Sequence, residues 1–124
     1  MIMALPAPLP ASRQLRRRFV REKLLTNFMG NKELARKAIG LFLDDLPKQM
    51  SLLKLSLQCC NHVACEKVAH RFKGAFAQLG VQLAAELASQ MEQMAKAEKT
   101  APISSMLPQL EAEIASLTEI AKEI

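Results

Sequence analysis

The stretch Cys65-Glu66-Lys67-Val68-Ala69-His70-Arg71-Phe72-Lys73-Gly74-Ala75-Phe76-Ala77-Gln78-Leu79-Gly80 carries the pattern from which the fold and the site both follow. Cys65, Val68, Ala69, Phe72, Phe76 and Leu79 recur at helical spacing and make one apolar stripe, which Gly80 ends. With the phenylalanines turned inward, His70, Lys73 and Ala77 fall on another face, toward solvent. Residues three and four apart are neighbours on a helix surface. A nucleophile (His70), a cation (Lys73) and a missing side chain (Gly74) therefore stand together. Glycine costs about 1 kcal/mol relative to alanine inside a helix, and clearing space beside His70 would be a reason for it. Lys73 can neutralise an anion carried on the imidazole. Gln78 lies a further turn along the same side and can donate a hydrogen bond.

Outward from this stretch, the chain reads as helices throughout. It has 124 residues, half of them apolar, with no Trp and no Tyr. Leu, Ala and Met dominate over β-branched residues, which favours helices over strands. The length suits one domain with one core. Pro6, Pro8 and Pro10 predict an extended, disordered leader over residues 1–11, followed by a helical domain over 12–124. A first helix is expected from about Ser12 or Leu15 to Phe28, closed by Gly30. Asn31 caps a second, to about Gln58, with Ala38, Leu41, Phe42, Met50, Leu53 and Leu57 inward and a kink at Pro47. Asn61 caps the third. The fourth presents Leu83, Leu87, Met91 and Met94 inward. Ser104 or Ser105 caps a fifth, with Pro108 in or near its first turn and Leu107, Leu110, Ile114, Leu117 and Ile124 inward. Short loops imply antiparallel neighbours. The expected fold is all-α: an antiparallel four-helix bundle with an additional N-terminal helix packed on one end.

The net charge is +5 and unevenly spread. Arg13, Arg16, Arg17, Arg18, Arg21 and Lys23 crowd the first helix, while Glu111, Glu113, Glu119 and Glu123 make the last one acidic. A basic helix attracts acidic partners of any kind, so nucleic-acid binding stays an alternative to a solvated face or to steering of acidic protein domains. Cys59, Cys60 and Cys65 form no sensible disulfide framework, which points to a reducing, cytoplasmic setting. With His62 they make C-C-x-H-x-x-C, a spacing that fits no zinc pattern, and no metal site is expected. There is no Gly-rich nucleotide loop, so a self-contained kinase is not expected.

Ala69-His70-Arg71-Phe72-Lys73-Gly74, followed by Leu79-Gly80, resembles the A-H-x-L-K-G-x-x-x-x-L-G signature of histidine-containing phosphotransfer (HPt) domains. Phe72 stands where leucine is usual, a change of core volume. Leu41-Phe42-Leu43-Asp44-Asp45-Leu46-Pro47 resembles the family's F-[LI]-[ED]-[ED]-x-P segment, and Met91-Glu92 falls where Leu-Glu is frequent. The likeness covers about residues 15–122. It implies that His70 is the phospho-acceptor, that Lys73 stabilises the phosphoryl group, that Gly74 admits the partner's active site, and that Gln78 orients the ring or the phosphoryl oxygens. Glu92 matches a position that supports the histidine ring in one branch. Arg71 and Ala77 would contact the partner, on a face shared by the second and third helices. The implied function is that of a phosphocarrier between receiver-domain aspartates, supplied by a hybrid histidine kinase, with Mg²⁺ coming from the receiver and with no membrane partner. A helical interaction module without phosphotransfer is the other alternative.

Overall fold

The computed structural model describes residues 8–124, with side chains from residue 14 onward. Five helices follow one another: α1 (Pro8–Asn27), α2 (Lys32–Gln58), α3 (His62–Gln78), α4 (Gln82–Lys96) and α5 (Ala101–Glu123). Helices α2 to α5 form the bundle, in which α3 packs most extensively on α4, and α5 closes the ring against α4 and α2. Helix α1 lies outside it, against α2 and α5.

Most of the stripe residues expected from the periodicity make the core. Cys65, Val68, Ala69, Phe72, Phe76 and Leu79 are all buried, together with Leu53, Leu87, Met91, Leu110 and Leu117. Phe42 of α2 meets Phe72 and Phe76 edge-on, with ring centroids 6.5 and 5.2 Å apart, and Phe72 and Phe76 stack at 5.8 Å. Edge-to-face and offset contacts at this range suit the ring quadrupoles. The larger residue at position 72 is thus absorbed in the core, on the side of α3 that His70 does not use.

Asn31 and Asn61 cap as expected: their side-chain oxygens accept from Leu34 N–H at 3.0 Å and Ala64 N–H at 3.1 Å. These bonds satisfy donors that have no partner inside the helix. Helix α2 runs unbroken through Pro47.

Several expected details differ. Helix α1 begins at Pro8, not at Ser12 or Leu15. Pro8 and Pro10 occupy its first turn, where a missing N–H breaks no helical bond. The leader expected over 1–11 therefore overlaps this helix at residues 8–11, and residues 1–7 lie outside the described residues. Helix α5 starts after Thr100, so neither Ser104 nor Ser105 caps it and Pro108 lies well inside it. Leu41 and Leu83, expected inward, are exposed.

Helices α1 to α4 all end in the same left-handed reversal, at Met29 (φ +56°), Cys60 (φ +52°), Gly80 (φ +79°) and Glu98 (φ +61°). In each, the following residue's N–H reaches back five positions, as from Val81 to the Phe76 carbonyl at 2.9 Å. Gly30, expected to close α1, is the residue after the reversal and bonds to the Leu25 carbonyl at 2.7 Å. Gly80 is needed twice over. Besides its positive φ, a Cβ there would stand 2.8 Å from Lys23 Cγ and 3.1 Å from Leu24 N of α1. The turn between α3 and α4 is thus the seat of α1, whose Leu24 is fully buried. Among the described residues no helix is long and apolar enough to cross a membrane.

Candidate functional site

His70 sits in the third turn of α3 with its side chain 69% exposed. The buried Ala69 and Phe72 pin the backbone on both sides of it, so the ring projects from a rigid element. Across the helix interface, α4 brings up Glu92, whose side chain is only 5% exposed. Its Oε2 lies 2.9 Å from His70 Nδ1, and its Oε1 lies 2.7 Å from Lys73 Nζ. Lys96, one turn further along α4, places Nζ 3.9 Å from Oε2.

The protonation pattern follows from these contacts. Lys73 bonding to the Glu92 carboxylate holds its pKa below the ordinary carboxylate value, with a smaller effect in the same direction from His70, and the two outweigh the opposing effect of burial. Glu92 is therefore ionised at neutral pH and can only accept hydrogen bonds. Nδ1 must then carry the ring proton in the neutral imidazole, which leaves the lone pair on Nε2. The carboxylate holds the tautomer and the orientation, and the exposed ring presents an Nε2 lone pair that is chemically able to act as a nucleophile.

Gly74 follows Lys73 on the exposed side of α3, and a Cβ placed on it would meet nothing within 4 Å. The chain's own packing does not require glycine there. Arg71 is exposed and pairs with Asp45 of α2 at 3.7 Å, so the acidic part of the Phe42–Pro47 segment is tied to the histidine helix. Ala77 is exposed. Gln78 is not brought to the ring. It ends α3 eight residues beyond His70, roughly 12 Å along the axis, and Asn27 of α1 donates to its backbone carbonyl at 3.1 Å. Glu92, of all the residues named from the sequence, is the one that joins the others. Lys96 is an addition to the residues expected from the sequence, and its i,i+4 spacing from Glu92 is the signal for it.

A hollow of about 340 Å³ bordered by Glu66, Lys67, His70 and Glu92 opens at the ring. A groove of about 320 Å³ runs between α2 and α3, with Leu52, Lys67 and Arg71 among its lining residues. A further hollow of about 390 Å³ beneath α1 shares no residue with the His70 cluster. Among the described residues no three His, Cys, Asp or Glu side chains converge as a metal site. Cys59 and Cys60 are exposed, whereas Cys65 is buried with its sulfur 3.1 Å from Ser56 Oγ.

The Hpt domain family model matches residues 37–120, about two thirds of the chain, from the second helix to near the end of the fifth. The chain belongs to the Hpt domain family. Hpt domains are histidine phosphotransfer modules of phosphorelays, phosphocarriers that work with receiver domains and histidine kinases. Comparison with curated proteins and with solved structures returns no match. Helix α1 lies outside the residues matched to the Hpt domain.

Proposed function

We propose that this Hpt protein carries a phosphoryl group on Nε2 of His70, taking it from the phospho-aspartate of one receiver domain and passing it to another. The observation that carries this reading is the hydrogen bond between Nδ1 and the buried, ionised Glu92, which leaves the exposed Nε2 as the nucleophilic nitrogen. The Nε2 lone pair attacks phosphorus and an N–P bond forms. The P–O bond to the aspartyl group breaks, and the aspartate leaves as its carboxylate. The ring keeps its Nδ1 proton and becomes positively charged, which the Glu92 carboxylate stabilises. The reverse sequence returns the group to the next aspartate. Phosphoryl transfer of this kind depends on positioning and charge neutralisation. Lys73, one turn from His70, supplies a positive charge to the transferred group.

The residues at the ring do not fit Mg²⁺. Of the two carboxylates around the ring, Glu92 is buried and already engaged by Lys73 and His70, which leaves Glu66 alone to hold an ion. The ion belongs with the receiver in this reading. The receiver docks over α2 and α3, where Leu52 is 43% exposed beside the groove lined by Arg71 and Lys67. Arg71 meets the receiver's acidic pocket, and Ala77 and Gly74 leave room for its apolar rim. A reducing, cytoplasmic setting agrees with the three free cysteines.

The test is incubation with phosphorylated receiver domains and detection of acid-labile, alkali-stable phosphate on this chain. His70→Gln retains the helical circular dichroism and loses all acceptance. Labelling of that variant, or labelling at His62, would overturn the assignment.

A further inference from the structure

Lys73 has two tasks that conflict. In the resting protein its ammonium is the sole close partner of Glu92 Oε1, an atom with no access to water. In the carrier reading it is also the cation for the phosphoryl group on His70. A dianion one helical turn away draws Lys73 outward, and its side chain, 37% exposed, has the freedom to follow. The carboxylate left behind cannot be compensated by solvent. A buried charge stripped of its partner is strongly unfavourable, and either it is neutralised or another cation replaces the first.

Apart from the phosphorylated ring itself, whose charge depends on its Nδ1 proton, one other cation is in place. Lys96 lies one turn along α4 from Glu92, its side chain half exposed and its Nζ 3.9 Å from Oε2. That separation is about 1 Å longer than a charge-assisted hydrogen bond. A lysine side chain covers this by rotating its own torsions, with no backbone movement. The carboxylate shares its charge over both oxygens, so a cation that closes on Oε2 compensates it as Lys73 did from Oε1.

We propose that Lys96 is the reserve counter-ion of this site: it closes on Glu92 when Lys73 turns to a phosphoryl group on His70. Lys96 is a positioning residue that acts through Glu92, and it does not touch the transferred group. The proposal rests on the reading of His70 as the phosphoryl carrier.

The test uses the full chain as wild type, Lys96→Gln and Lys96→Arg, phosphorylated with potassium phosphoramidate. That donor loses ammonia as its P–N bond breaks and the new N–P bond forms at Nε2, so no receiver is needed. NMR then follows the titration of the His70 ring with and without the phosphoryl group. The charged groups around the ring are Glu66, Lys67 and Lys73 on α3 and Glu92 and Lys96 on α4, and only Lys96 differs between the proteins. Without the phosphoryl group, Lys73 covers Glu92 and the three midpoints lie close together. With it, the Lys96→Gln ring holds its Nδ1 proton more tightly against an uncompensated carboxylate, and its midpoint rises by about one pH unit. Lys96→Arg restores the wild-type midpoint. Equal midpoints in phosphorylated wild type and Lys96→Gln overturn the proposal. So does an equal rise in both states, which would make Lys96 an ordinary neighbouring charge. Either result leaves the carrier reading intact if receivers still label His70. Conversely, the predicted rise in a chain that no receiver labels upholds Lys96 and removes the relay. No phosphoramidate label on His70 overturns both.

Discussion

At the scale of single residues, the site is a division of labour around one buried carboxylate. Glu92 links the histidine to Lys73 and Lys96, so its removal affects both stability and chemistry. Its pKa is depressed in the folded protein, chiefly by Lys73, from an ordinary value of 4.5. A carboxyl group with a depressed pKa stabilises the fold above its unfolded value, and that contribution is lost as pH falls through the folded value. Glu92→Gln should therefore cost about 1 kcal/mol at pH 7, since Lys73 and His70 both retain access to water. The difference from wild type should shrink as the pH is lowered below about 4.5 in denaturant titrations. A difference that stays constant from pH 7 to pH 3 would exclude an ionised Glu92 as its source. His70, Lys73 and Gly74 were legible from spacing alone, because all three lie on one helix. Glu92 was not, because its approach depends on how α4 packs against α3.

At the scale of elements, two glycines of one helical hairpin stand in opposite surroundings. Gly80 answers to the chain itself, through its positive φ and the backbone of α1 against it. Gly80→Ala should destabilise the protein by about 1–2 kcal/mol or more, with α1 loosening first in hydrogen exchange. Gly74 has open space around it and lies inside an exposed helical turn. Gly74→Leu should raise stability by up to about 0.8 kcal/mol through helix propensity, yet slow phosphotransfer by blocking the approach of the partner. Unchanged transfer in that variant would show that the glycine serves something other than access. Stripes and asparagine caps were readable because they depend on near neighbours in sequence. The start of α5 differs from expectation because the serines at 104 and 105 look like caps, while the helix begins after Thr100 with no side-chain cap bond. Leu41 and Leu83 fall outside the buried face because periodicity gives a face, and only packing decides how wide that face is buried.

At the scale of the whole molecule, the arginine cluster acquires a structural role. Arg16 donates from one guanidinium nitrogen to both oxygens of Glu113, at 3.0 and 2.9 Å, and Arg21 meets Glu123 at 2.7 Å. The basic first helix and the acidic last helix are thus partners, and part of the charge asymmetry in the sequence is cancelled within the fold. Arg16→Glu should cost up to about 1 kcal/mol and increase exchange in α1. Adding Glu113→Arg should recover most of that loss, in a double-mutant cycle read from thermal or denaturant unfolding. High salt should shrink the coupling, because both groups are near the surface. No recovery in the swap would show that the Arg16–Glu113 pair does not hold α1, and would leave that task to Leu24, Arg21 and Asn27.

The sequence by itself determined the helix count, the inward stripes, two helix caps and the histidine face, since each rests on contacts within a few residues of one chain segment. The His70–Lys73–Gly74 grouping belongs to this set, because helical geometry alone brings it together. Tertiary structure decided the rest. It selected Glu92 over Gln78 as the group that holds the imidazole, because the two lie on different helices and only the packing of α4 on α3 brings a carboxylate within 2.9 Å of Nδ1. It also turned Arg16 and Arg21 of α1 toward α5, about a hundred residues away, where Coulomb attraction acts through space and leaves no mark in local periodicity.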